Sequence, residues 1–301
     1  MIRCPAVTLP PDVPLPPTVN VLWLPETPLA ACVRAVMLRD TRGVVLSTEQ
    51  RLNHFAVSAY FTLTWFFEGS GEVWVEGQVT RATTESPRRA LPGPILLTGP
   101  SDEPSVIYNP GPVRMLMLVF MPDALHQLVG LDSREWAGRC EDAREVLSPD
   151  WQAWLDAVLK TQTETQALEA IETFLKPRWE GCRPSTSLGS SIEDWVHSLA
   201  MRLALSGTGR SLRQMERRVR MATGNSLRKL RRHARDESGY LQGRQVYLSG
   251  QFGWAQAATE AGFADQSHLV RETVRGTGFT PTELVRLVQT EESFWVYRLW
   301  N

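Results

Sequence analysis

Arg213, Glu216, Arg217 and Arg220 stand at i, i+3, i+4 and i+7, the spacing that gathers side chains on one face of a helix. Met215 and Val219, four apart, fall on the other, inward side. A guanidinium on such a face can fork onto O6 and N7 of a guanine, and a carboxylate can accept from a cytosine amine. Arg213 and Arg217 are therefore the leading base-reading candidates, against the plainer alternative of surface charge or intradomain ion pairs. Between residues 210 and 235 ten arginines and lysines face one acid, Glu216, although the whole chain carries a net charge of −1. Pairing along a helix cannot neutralise so one-sided a segment, which points to a polyanionic partner. Arg228, Lys229, Arg231 and Arg232 follow the first set and, with Arg220, suit phosphate oxygens, which position a protein without reading sequence.

The elements that must hold these side chains occur twice. A shift of 54 residues lays SLRQMERRVRMATGNSLRKL (211–230) over DQSHLVRETVRGTGFTPTEL (265–284). Ser211 falls on Asp265, both N-capping types; Met215 falls on Leu269, Arg217 on Arg271, Gly224 on Gly278, Ser226 on Thr280 and Leu230 on Leu284. Each copy predicts a capped helix of about three turns, a glycine at the left-handed position past its end, and a Ser or Thr capping the next helix. Pro281 after Thr280 is the expected first residue of that helix. Ahead of the second copy, WAQAATEAGF makes a short helix and a turn, with Ala258 and Gly262 four apart where a close crossing wants no side chain and a turn wants positive φ. The unit is a helix-turn-helix, and the helix from Asp265 leaves Gln266, Ser267, Val270 and Arg271 outward, Gln266 suited to adenine and Arg271 to guanine or phosphate. In the first copy the partner helix is IEDWVHSLAMRLAL, 192–205, followed by SGTGR with an ambiguous turn register.

At these residues the chain resembles the AraC family of bacterial transcription regulators. The family pattern G-F-x-D-x-S-x-F-x-R-x-F-K-x-x-x-G-x-T-P has in its places here Gly262, Phe263, Asp265, Ser267, Leu269 (for the first inward phenylalanine), Arg271, Gly278, Thr280 and Pro281, and 211–219 is similar to the first motif. Thr273 stands where the family buries a phenylalanine, Val274 replaces a basic residue, and Val219 replaces a larger aromatic. The resemblance covers about 191–286. It implies sequence-specific binding of double-stranded DNA, recognition helices in successive major grooves about 34 Å apart, homodimerisation, a small-molecule effector and RNA polymerase as a further partner. It implies no cofactor, no metal and no enzyme activity. Thr273 makes the second unit the weaker grip.

The rest of the chain predicts an α+β protein. Residues 5–28 are proline-rich and read as an extended arm without helix; 55–120 read as strands of an antiparallel barrel or β-roll, notably FAVSAYFTLTWFF, GEVWVEGQV and VRMLMLVFM. From about 122 the apolar spacing changes to three and four, predicting helices to 178, and Leu168, Ile171, Phe174 and Leu175 form a stripe that suits either the chain's own core or a dimer seam. The resemblance makes 1–180 a cupin-like effector-binding or oligomerisation domain, 181–190 a linker, 191–290 the DNA-binding domain of two helix-turn-helix units and 291–301 a tail. Trp65, Phe67, Trp74 and Tyr108 are either lining for an apolar effector pocket or core aromatics.

An enzyme fused to a DNA-binding domain, with cupin or cysteine alkyl-transfer chemistry, is the alternative. A cupin metal centre needs clustered histidines, and this region offers His54 and His126 without an H-x-H pair. Cys4, Cys32, Cys140 and Cys182 are scattered, with neither metal spacing nor a disulfide framework, which fits reduced cytoplasmic thiols. No run of about 18 apolar residues and no signal-peptide pattern occurs, so the expected location is the cytoplasm and no membrane partner is expected.

Overall fold

The structure is a computed structural model that describes residues 1–5, 14–74, 85–182, 192–205, 212–248, 253–260 and 262–300. The linker predicted at 181–190 lies largely outside the described residues, as do Ser211 and Ala261. Among the described residues the strands are β1 (Ile2–Arg3), β2 (Val19–Leu24), β3 (Val33–Asp40), β4 (Leu52–Phe55), β5 (Phe61–Glu68), β6 (Glu72–Trp74), β7 (Arg88–Ala90), β8 (Ile95–Thr98), β9 (Ser105–Tyr108), β10 (Arg114–Phe120) and, after the first helix, β11 (Cys140–Asp142). They form a seven-stranded sheet in the order β1-β2-β3-β10-β5-β8-β11 and a four-stranded sheet in the order β4-β9-β6-β7, antiparallel at every pairing. Helices follow as α1 (Ala124–Val129), α2 (Ala143–Val146), α3 (Pro149–Leu159), α4 (Glu164–Cys182), α5 (Ile192–Leu205), α6 (Leu212–Thr223), α7 (Leu227–Leu248), α8 (Trp254–Glu260), α9 (Gln266–Thr277), α10 (Pro281–Thr290) and α11 (Trp295–Leu299). The architecture is α+β, an antiparallel sheet region and then a helical region.

The large sheet is apolar on both faces, and this organises the molecule. Successive side chains point to opposite faces. Val36, Leu38, Leu63, Trp65, Leu116 and Leu118 enter one cluster, while Ala35, Met37, Phe66, Met115 and Val119 enter another. The first face is covered by Trp151, Trp154, Leu155 and Val158 of α3 and by Ile171, Leu175 and Trp179 of α4, and the same cluster runs on into Trp195 of α5, Val219 of α6 and Leu230 of α7. The stripe on α4 is thus split: Ile171 and Leu175 are core, whereas Phe174 is half-buried, stacked on Trp154 at 4.4 Å and capped by Arg178 at 3.6 Å. Three described strands, β1, β2 and β3, fall outside the predicted 55–120 range on its N-terminal side, and β4 begins ahead of it. β2 lies within the segment 5–28 read as an extended arm: VNVLWL, between Pro17 and Pro25, alternates between the two faces and pairs with β3.

The second face is covered by the end of the chain. Leu284 and Val288 of α10 and Phe294, Trp295, Val296 and Tyr297 pack on it, so residues 291–300 form a strap. Trp295 joins the two sheets: its ring lies under Arg39 of β3 at 4.9 Å, and its Nε1 donates to Asn53 Oδ1 of β4 at 2.7 Å. Phe294 stacks on His54 at 4.5 Å. Glu292, fully buried, accepts from Arg39 (2.8 Å) and Thr18 (2.7 Å) through Oε1 and from Arg298 (2.7 Å) through Oε2. Buried aromatics remove about 150–250 Å² each from water, roughly 4–6 kcal/mol. A buried ion triad roughly breaks even against apolar replacements. The aromatic side chains therefore supply the attachment, and the triad fixes its register.

Two outcomes follow for the strap. Glu292→Ala leaves Arg39 and Arg298 buried without their carboxylate and should cost about 3–5 kcal/mol in urea unfolding; a loss under 1 kcal/mol would contradict the buried triad. Burial pushes the His54 imidazole down to about 4, against an ordinary value of 6.5. A depressed folded value gives stability that is full above pH 6.5 and is lost as the pH falls through about 4, here up to about 3 kcal/mol. His54→Phe keeps the stack on Phe294 and should flatten the fall in unfolding midpoint between pH 7 and pH 4, with His233, also pushed down to about 4 by burial, keeping part of the slope.

Candidate nucleic-acid interface

The repeat read from sequence recurs in the hydrogen bonds that close each helix and open the next. α6 ends at Gly224, φ 70°, whose N–H donates to Arg220 O at 2.8 Å; α9 ends at Gly278, φ 87°, whose N–H donates to Val274 O at 2.7 Å. Thr223 Oγ1 donates to Val219 O (2.7 Å) and Asn225 O (3.1 Å), and Thr277 Oγ1 donates to Thr273 O (2.8 Å) and Phe279 O (3.2 Å). Ser226 then caps α7 by accepting from Lys229 N, and Thr280 caps α10 by accepting from Glu283 N, with a full capping box in the second case. Leu230 and Leu284 are both buried at the next inward position. Each of these groups lies 54 residues from its counterpart.

Ahead of α9, Gly262 has φ 72° and Phe263 N–H donates back to Ala258 O at 2.8 Å, with Ala257 and Ala258 fully buried. Asp265, extended, caps α9 by accepting from His268 N at 2.7 Å. The turn ahead of α6 lies outside the described residues. Its partner helix α5 packs on α7, and Trp195 Nε1 donates to Asp123 Oδ1 at 2.9 Å, beside the start of α1.

Exposure follows the spacing in part: Met215, read as inward, and Val270, read as outward, are both half-buried. Val219 and Leu269 are buried; Arg213, Arg217 and Arg220 on α6, and Gln266, Ser267 and Arg271 on α9, are exposed. Glu216 is half-buried and accepts from Arg220 at 3.2 Å, one turn on. Thr273 turns its hydroxyl back to Leu269 O at 2.9 Å, so the position that the family pattern fills with an aromatic closes on its own helix, and Val274 is exposed. Along α7, Arg228 is exposed and Arg232 half-buried, while Lys229 is drawn into an ion pair with Asp102 of the sheet region. Arg275 of α9 pairs with Asp236 of α7 at 3.1 Å and with Glu272. Burial pushes the Asp236 carboxyl up to about 6, in spite of that arginine.

The four aromatic residues considered for an effector pocket have separate surroundings. Trp65 is fully buried, its Nε1 donating to Leu155 O at 3.1 Å; Phe67 lies under Arg114 and Tyr108 under Arg88; Trp74 is half-buried at the end of β6. An open groove lies instead between α3 and α4, lined by Trp154, Phe174 and Arg178 among others. The Cys4, Cys32 and Cys140 thiols are all pushed up by burial, the reverse of what a nucleophilic thiolate needs. Among the described residues no group of three or more His, Cys, Asp or Glu is placed to hold a metal ion, and no helix is long and apolar enough to cross a membrane.

No family model matches the chain, and no curated protein is significantly similar to it. Solved structures do match it. The chain is similar to the AraC-like transcriptional activator CuxR and to ToxT from Vibrio cholerae. CuxR is 12% identical, with 97% of this chain and 90% of that chain covered and a TM-score of 0.30. Apo ToxT of strain SCE256 is 13% identical over 83% of this chain and 96% of that one, TM-score 0.37, and ToxT of strain O395 is 12% identical over 79% and 94%, TM-score 0.38.

Two of the positive-φ glycines, Gly224 and Gly262, allow a check on the docking of the first unit. A Cβ on Gly224 would sit 2.7 Å from the Ser133 carbonyl oxygen, whereas one on Gly262 meets nothing within 4 Å. Gly262→Ala should cost about 1–2 kcal/mol, the left-handed backbone penalty alone. Gly224→Ala should cost more, measured by the same denaturant titration; equal losses would mean that α6 does not rest on Ser133.

Proposed function

We propose that the chain is a sequence-specific DNA-binding transcriptional regulator. The observation that carries this reading is the pair of equivalent helices α6 and α9, held by the same hydrogen bonds and each presenting a polar, exposed outer face. Arg213 and Arg217, with Glu216, read bases through the first unit, and Gln266, Ser267 and Arg271 through the second; Arg220, Arg228 and Arg232 hold phosphates. Lys229 contributes through its ion pair with Asp102 and adds a phosphate contact when that pair opens. The sheet region, cupin-like, carries the regulatory input, either a small effector or self-association to a homodimer. The groove between α3 and α4, with its stacked Trp154 and Phe174, supports self-association in particular. RNA polymerase is the expected further partner of an activator.

Selection of bound sites from random double-stranded DNA with the full chain tests the reading, and recovery of no preferred sequence would sink it. On the selected site Arg217→Ala should weaken binding by about 1–3 kcal/mol and relax preference at one base pair, more than Arg271→Ala does. Arg228→Ala should weaken all sequences alike and reduce the salt slope by about one. A larger loss from Arg271→Ala than from Arg217→Ala would reverse the ranking of the two units.

A further inference from the structure

The sheet region holds both helix-turn-helix units at the same atom. The last carbonyls of a helix have no partner within it. In α6 the Ala222 carbonyl accepts from Ser133 Oγ at 2.8 Å, and in α9 the Gly276 carbonyl accepts from Val57 N–H at 2.9 Å. Ala222 and Gly276 are 54 residues apart, so they are the same position of the repeat. Two donors from one region meet the same orphan carbonyl in each copy.

The two donors are themselves joined. Ser58, next to Val57, exchanges backbone hydrogen bonds with Ser101, at 2.9 and 2.8 Å. Pro100 O accepts from Gly138 N–H at 2.8 Å and Gly99 N–H donates to Arg139 O at 2.9 Å, which ties this segment to the 3-10 turn Ser133–Trp136. Gly99 is packed so closely on that turn that a Cβ there would sit 1.9 Å from Trp136 O. A belt of backbone therefore runs from Val57 through Ser101 to Ser133, with the second unit at one end and the first at the other. Asp102, on the belt, takes Lys229 just past α6. Behind it Arg34 of β3 holds Glu237 of α7 at 2.5 Å, and Tyr60 Oη donates to the same carboxylate at 2.8 Å.

The belt leaves the reading faces free. Arg213, Arg217 and Arg220, and Gln266, Ser267 and Arg271, stay exposed while it grips the ends of their helices. We propose that the belt 57–58, 99–102 and 133–136 is a bracket that sets the separation and orientation of the two recognition helices. Ser133 and Asp102 are then positioning residues that decide which spacing between two half-sites the protein accepts. The rival constraint is α7 itself, a continuous helix joined to α9 by Asp236 and Arg275. The spacing consequence rests on the DNA-binding reading; the bracket does not.

The test therefore has two arms on the full chain. In the first, spin labels on noncanonical residues at the exposed positions Arg218 and Gln266 report the distance between the recognition helices without DNA. The parent should give one narrow distribution, and Ser133→Ala with Asp102→Ala a broadened or displaced one. An unchanged distribution in that double variant overturns the bracket and assigns the constraint to α7. Should the double variant lose its cooperative unfolding transition, Asp102→Asn alone serves, with the same two outcomes. In the second arm the selected site is lengthened or shortened by one base pair between its half-sites. The parent should lose about tenfold or more in affinity, on the order of 1.4 kcal/mol, and the double variant less than threefold. Equal losses in both proteins overturn the bracket as a determinant of spacing. Absence of any sequence-specific binding by the parent overturns the DNA-binding reading instead, and the distance arm still decides the bracket.

Discussion

A sheet with apolar residues on both faces has to be covered twice. In this chain β3 and β10 alternate their side chains between two clusters, and neither cluster is closed by the sheet region alone. One face continues into α5, α6 and α7, the other takes α10 and the strap. The helical region is thus built into the two cores that make the sheet stable, rather than tethered beside it. Polar groups then choose among the ways in which apolar surfaces could meet: the Arg39, Glu292 and Arg298 triad, and Arg34, which lies over Trp300 and holds Glu237 of α7. Because the gain from a buried ion pair is small and the loss on breaking one is large, such groups penalise wrong registers more than they reward the right one.

The same economy explains the two repeats. Each has a buried residue, a hydroxyl that bonds forward and back, a left-handed glycine and a hydroxyl cap on the following helix, in the same order. What differs between the copies is their core. Val219 is buried in a cluster shared with the sheet, whereas Thr273 satisfies itself by bonding to Leu269 O. α6 is therefore anchored by apolar contact with the rest of the molecule, and α9 by the small cluster of Ala257, Ala258, Phe263 and Leu269 together with the ion pair to Asp236.

Local rules made most of the helical region legible. Gly278, Thr280 and Pro281 each have a conformational or capping preference strong enough to fix a boundary, and the 54-residue shift doubles every such signal. The outward positions of Arg217 and Gln266 followed from helical spacing alone. What stayed hidden depends on long-range partners. VNVLWL reads as part of a proline-rich arm until β3 is placed beside it, and nothing local to FWVYRLW says that Trp295 reaches Asn53 or that Glu292 meets Arg39. Lys229 looks like its neighbours Arg228 and Arg231, and only the fold brings Asp102 to it. Aromatic residue type alone cannot tell core from pocket: Trp65 is fully buried with its Nε1 bonded to Leu155 O, whereas Phe67, two residues on, lies half-buried under Arg114, and only the fold decides which is covered.

The strap also imposes an order on synthesis. Chains emerge from the ribosome N-terminus first, and domains ordinarily fold as they appear. Here β3, β5 and β10 appear early with one face still bare, and the residues that cover it, from Leu284 to Tyr297, come at the very end of the described chain. The sheet must wait, apolar and unfinished, until both recognition helices have been made. A chain truncated within or before the strap would therefore lack the cover for its oldest strands, and its defect would be read as misfolding of the first-made part rather than as loss of the last.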